Sequence, residues 1–133
     1  MKENEFRAPG RKVLESVRAE AYATLTPRTA ASSHLGLVHR VYPKGHVLRL
    51  VDRKIHVPAD SILVFEDQLP GANFGHPCRY LFHAPDDGRL LHVEEAFFPP
   101  DVADRDTLVD EFHAPRKPAV TTPLVYGPIR FGP

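Results

Sequence analysis

The chain has one cysteine in 133 residues. A lone thiol closes no internal disulfide, so cysteine usage gives no sign of an oxidising compartment. No run approaches the ~18 consecutive apolar residues that a bilayer span needs. The amino-terminal Met1-Lys2-Glu3-Asn4-Glu5-Phe6 lacks the apolar core of a secretory signal. These absences lead to the expectation of a cytoplasmic protein. Chemical motifs are missing as well: no glycine-rich phosphate loop, no serine-centred elbow, no zinc-peptidase helix. Net charge is zero. Neither half of the chain gathers Lys and Arg among aromatics as a nucleic-acid surface does, so neither nucleic acid nor membrane is an expected partner.

What is present fits one domain. A chain of 133 residues that is 42% hydrophobic can fill a single core. Its fourteen prolines are about twice the usual ~5% share and argue against a mostly helical protein. Charge is unevenly spread: residues 1–57 carry eleven Lys and Arg against five Asp and Glu, and residues 58–133 carry six against twelve. Halves of opposite sign can pair within the fold or between copies, and internal pairing is the simpler expectation. Eight histidines make charge depend on pH between 5 and 7.

Along the chain, Val13, Leu14, Val17, Ala21 and Leu25 gather on one face of a helix over Arg11–Leu25, preceded by Pro9-Gly10 and stopped by Pro27. Residues 26–33 read as a polar connection. Strands follow. Gly36–Tyr42 leads to a Pro43-Lys44-Gly45 turn, and Val47–Val51 with Lys54–Val57 forms a hairpin around Asp52-Arg53. Ile62-Leu63-Val64-Phe65 is an unbroken apolar run suited to a central strand covered on both faces. Pro85-Asp86-Asp87-Gly88 closes a second hairpin and sets Ala84 opposite Arg89. Counting back pairs Phe82 with Leu91, Tyr80 with Val93 and Arg79 with Glu94. Tyr80, Phe82, Leu91 and Val93 then form an apolar face, expected beneath the helix, while Arg79, His83, His92 and Glu94 form a polar one. Asp101–Phe112 reads as a shorter second helix capped by Asp101. Residues 114–133 hold five prolines and read as an extended arm. The expected fold is α+β: a domain over residues 1–113 with the amino-terminal helix on an antiparallel sheet of about five or six strands, then the short helix and the arm.

The segment 67–80 is the most distinctive. Pro70-Gly71, Asn73 and Gly75 punctuate a shaped loop between two strands, and such loops often carry function. Cys78 lies two residues from His76, yet its place on the Tyr80 and Phe82 face makes it a core residue rather than a nucleophile. His76, Cys78, His83 and His92 lack the paired spacing of a zinc site. The acidic set Asp101, Asp104, Asp106, Asp110 and Glu111 lacks the spacing of a calcium loop. No catalytic residue, metal or cofactor is assigned. Leu69, Pro70, Asn73, Phe74 and His76 are candidates for partner contact, although Leu69 and Phe74 could equally fold back over the sheet. Tyr126, Ile129 and Phe131 are the anchors of the arm. The sequence therefore reads as a non-enzymatic protein–protein interaction module, accessory, inhibitor-like or immunity-like, or an assembly subunit. Its partner is another protein or copies of itself. The rival is a small enzyme or a small-ligand or metal binder using His76, His83 and His92.

Overall fold

A computed structural model describes residues 8–70, 75–100 and 109–114. Helix α1 (Arg11–Ala23) buries Leu14, Val17 and Ala21, one stripe of the predicted face. It ends where Thr24 folds its hydroxyl onto the Ala21 carbonyl, at 2.7 Å. Pro27 does more than stop it: as the first residue of a second short helix, α2 (Pro27–Ser32), it needs no amide partner. Thr26 and Thr29 cap that helix reciprocally, side chain to backbone. The polar connection of the sequence reading is thus helical.

Among the described residues seven strands follow: β1 (His34–Tyr42), β2 (Val47–Arg49), β3 (Lys54–His56), β4 (Ser61–Asp67), β5 (Cys78–His83), β6 (Leu90–Ala96) and β7 (Val109–His113). Five form an antiparallel sheet in the order β6-β5-β4-β1-β7, and β2 pairs with β3. The apolar run Ile62–Phe65 is central, as expected, and both its faces are covered. Helix α1 covers one face over Leu35, Leu37, Val41, Ile62, Val64 and Leu81. The β2–β3 hairpin covers the other with Leu48, Leu50, Ile55 and Val57 over Tyr42, Leu63, Tyr80 and Phe82.

This double cover corrects the expected β5–β6 register. The turn closes as predicted, Ala84 N–H donating to the Arg89 carbonyl at 2.8 Å. A bulge then intervenes: His83 pairs with Leu90 but Phe82 pairs with His92, leaving Leu91 as the extra residue. Beyond it Leu81 faces Val93, Tyr80 faces Glu94 and Arg79 faces Glu95. The expected register assumed one apolar and one polar face. Because five of the six residues of β5 are buried, that pattern could not discriminate. Helix α1 lies over Leu81 and Val93, while Tyr80 and Phe82 lie under the hairpin. His83, assigned to a polar surface, is fully buried on the helix side.

The second correction is at the carboxy-terminal end of the described chain. Val109–His113, read as the last turn of a helix over Asp101–Phe112, is strand β7 on the outer edge of β1. Residues 101–108 of that range, and the arm after Ala114, lie outside the described residues. Part of the charge asymmetry is met inside the fold, since Arg18 pairs with Asp110 at 2.6 Å and Arg53 pairs with Glu94.

Candidate functional site

The register brings one set of chain ends together. His34 pairs with Asp67, Asp67 with Cys78, Cys78 with Ala96, and Leu35 with His113. The start of β1, the end of β4, the start of β5, the end of β6 and the end of β7 therefore share one edge of the fold, the loop end. The last turn of α1 joins them, because Arg79 donates to the Thr24 hydroxyl at 2.8 Å. Ala114 follows β7 here, so the proline-rich segment begins at the same end as the 68–77 loop. Chain order separates these two candidate regions by some forty residues, and the antiparallel pairing brings their attachment points together.

The loop stems are tied by a few directed bonds. Asp67 Oδ1 accepts from the Leu69 amide at 3.0 Å and from His76 Nε2 at 2.7 Å, so one carboxylate clamps both sides. Gln68 N–H donates to the Pro77 carbonyl at 3.2 Å. His76 N–H donates to the Phe97 carbonyl at 2.9 Å, linking the loop to the segment after β6. Cys78 Sγ and Tyr80 Oη both donate to the Phe98 carbonyl, at 3.3 and 2.8 Å. The Phe98 ring packs on Gly75, where a Cβ would stand 3.0 Å from it. Phe97 thus leaves a backbone held on both sides, and its ring is 59% exposed.

Beneath this surface lies a polar network. Glu66 is fully buried and paired with Arg79, and it accepts from Ser33 Oγ at 2.7 Å. A buried carboxylate requires such partners, and the Arg79 guanidinium, the Ser33 hydroxyl and the Gln68 amide, at 3.4 Å, supply them. On the α1 side a groove of about 540 Å³ runs between Tyr22, Pro27, Ala30, Ala31, His113 and Ala114. Tyr22 meets the His113 ring edge-on at 5.3 Å, and His113 Nε2 donates to the Ala30 carbonyl at 2.8 Å.

Each predicted site residue can now be placed. Leu69 is 47% exposed beside the half-buried Pro70. Asn73, Phe74, Tyr126, Ile129 and Phe131 lie outside the described residues. His76 is not an exposed contact: it is buried as the partner of Asp67. The residue that the sequence reading missed is Phe97. Strand alternation carried past Ala96 would have found it, since Ala96 and Phe98 turn inward and Phe97 must turn out.

Cys78 is buried, and its thiol is pushed up to about 12 by burial and then by the charges of Asp67, Asp52 and Glu66. It is a core thiol, not a nucleophile. His76 and His83 sit at opposite ends of β5, about 20 Å of strand apart, and His92 stacks on Phe82 across the sheet from the helix. Among the described residues no group of three His, Cys, Asp or Glu side chains is placed to hold a metal ion. No helix among them is long and apolar enough to cross a membrane. No protein-family model matches the chain, and no curated protein or solved structure is detectably similar to it.

Proposed function

We propose that this protein is a protein–protein interaction module that binds through the loop end of its sheet, as an accessory or inhibitor-like protein or as a subunit of an assembly. The observation that carries this reading is the exposure of two large apolar residues, Leu69 and Phe97, at this end of the sheet. Both are large, apolar and about half exposed, and both rise from backbone already held by hydrogen bonds. Ordering costs little at such positions, so more of the gain from burying them appears as affinity. Full burial of a leucine or phenylalanine contributes about 1.5–3 kcal/mol, and about half of that is still available here. Phe74, Tyr126, Ile129 and Phe131, which lie outside the described residues, are assigned to the same surface in this proposal on their sequence alone.

The test is native mass spectrometry of protein isolated gently from its own source, with Leu69→Asp, Phe97→Asp and a form ending at Ala114. Leu91→Asp, an exposed apolar site at the opposite end of β6, is the control. Either loop-end substitution should remove a reproducible partner or oligomer that the control retains. An association pattern identical in all four proteins rejects the reading.

A further inference from the structure

The groove of about 540 Å³ beside α2 has aromatic walls and a floor of small side chains. Tyr22 projects into solvent from the last turn of α1 and is 51% exposed. His113 meets that ring edge-on from the end of β7, and its bond to the Ala30 carbonyl ties β7 to α2. Pro27, Ala30 and Ala31 complete the surface from α2. Among the described residues no Asp, Glu, Lys or Arg side chain lines it. Ala114 lines it as well, and residues 115–133 continue the chain from that point.

The continuation opens with Pro115-Arg116-Lys117-Pro118. A polyproline II helix has three residues per turn, so two prolines so spaced share one face, about 9 Å apart. Proline fixes its own φ, and a segment built on it loses little freedom when it docks. The carbonyls of such a helix have no internal partners, and the Tyr22 hydroxyl is a donor suited to them.

We infer that this groove seats residues 115–118 of the same chain, docked as one turn of polyproline II with the proline rings against Tyr22. These residues lie outside the described ones and are assigned to the groove on their sequence and on their attachment at Ala114. Aromatic-lined grooves take proline-rich segments in this way. Tethering favours this arm over that of a second copy. A segment attached at the groove itself acts at an effective concentration on the order of millimolar, far above that of a second copy in dilute solution. With no lysine or arginine in the lining, an anionic ligand has no cation there to meet. The inference stands apart from the loop-end reading, since an arm held within its own chain needs no partner.

The experiment is isotope-filtered nuclear Overhauser spectroscopy of the full chain, carbon-13 labelled and mixed with an equal amount of unlabelled protein. Contacts between the Tyr22 ring and the Pro118 ring should appear within one molecule. The full-length double variant Pro115→Gly, Pro118→Gly should lose them and free the groove. A synthetic peptide of residues 114–120 should then shift the Ala31 resonances of that variant, with an affinity at least about tenfold above that for the wild type, whose groove is already filled. Adding Tyr22→Ser should weaken the peptide again. Absence of the Tyr22–Pro118 contact in the wild type, its appearance only between molecules, or an equal peptide response in wild type and double variant overturns the proposal.

Discussion

At the loop end Glu66 has no solvent exposure and meets a guanidinium and a hydroxyl; at the opposite end of the same sheet His83 is equally buried and meets one carbonyl. The two ends therefore hold their helix differently. Near Glu66 the last turn of α1 is fastened through Thr24 and Arg79, by charge and directed hydrogen bonds. Near His83 the earlier turns of α1 lie on the 84–89 turn by close backbone approach. Gly88 has a φ of +82°, and a Cβ there would stand 2.8 Å from Ser16 Cβ, 3.0 Å from the Val17 nitrogen and 3.1 Å from the Val13 oxygen. His83 Nδ1 donates to the Gly88 carbonyl at 2.9 Å, which leaves Nε2 buried without a partner. The end with satisfied buried charge carries the exposed apolar residues Leu69 and Phe97. The end built on steric fit keeps a titratable group whose charged form is disfavoured by burial.

The sharpest way to break this comparison is Arg79→Met. It strands Glu66 in the core, and urea unfolding should show a loss of about 3–5 kcal/mol. Adding Glu66→Leu to that variant should recover most of the loss, because replacing both ions leaves no buried charge. A double variant as unstable as the single one would mean that the network shapes the fold beyond its charge. At the other end Gly88→Ala combines a left-handed backbone with contact against the helix, and should cost about 2–3 kcal/mol by the same measurement. Tolerance there would show that the helix moves away freely and that steric fit does not hold this end.

The smallest expected effect depends on pH. Burial lowers the His83 pKa below its ordinary value of 6.5, with the Gly88 carbonyl and the charge of Glu20 partly opposing. The folded state is thus the poorer proton acceptor at this residue. Stability from this source is fully present above the unfolded value and declines as pH falls below it, by up to about 1.4 kcal/mol per unit. His83→Asn keeps a donor for the Gly88 carbonyl and removes the titration. Its unfolding midpoint should fall less steeply than that of the wild type between pH 7 and pH 5. Parallel profiles would mean that His83 does not set the acid sensitivity.

Much of this was legible in the residues. Leu14, Val17 and Ala21 announced the helical face, Ile62–Phe65 a strand with two covered sides, and Pro85–Gly88 a turn whose closing pair is correct. These are local signals, set by periodicity and turn chemistry over a few residues. The β5–β6 register was not legible, because β5 is buried on both faces and a single bulged residue, Leu91, moves every later pair by one. Strand β7 was missed because Val109, Leu108 and Phe112 suit a helical face as well as an edge strand, and only the free edge of β1 decides between them. At the candidate site Leu69 is exposed, His76 is buried against Asp67, and the exposed Phe97 carries no sequence signal beyond strand alternation that singles it out.

The sequence by itself determined the class of the fold, the amino-terminal helix, the hairpins and the inward place of Cys78, since each follows from neighbours within about ten residues. Only the tertiary structure decided that α1 and the hairpin divide the two faces of the sheet, that Glu66 finds Arg79 and Ser33, and that the loop stems and the end of β7 lie at the same end of the sheet. Those outcomes depend on which strands pair and which layer lies above, and a burial pattern read along one strand carries no label for the element that will cover it.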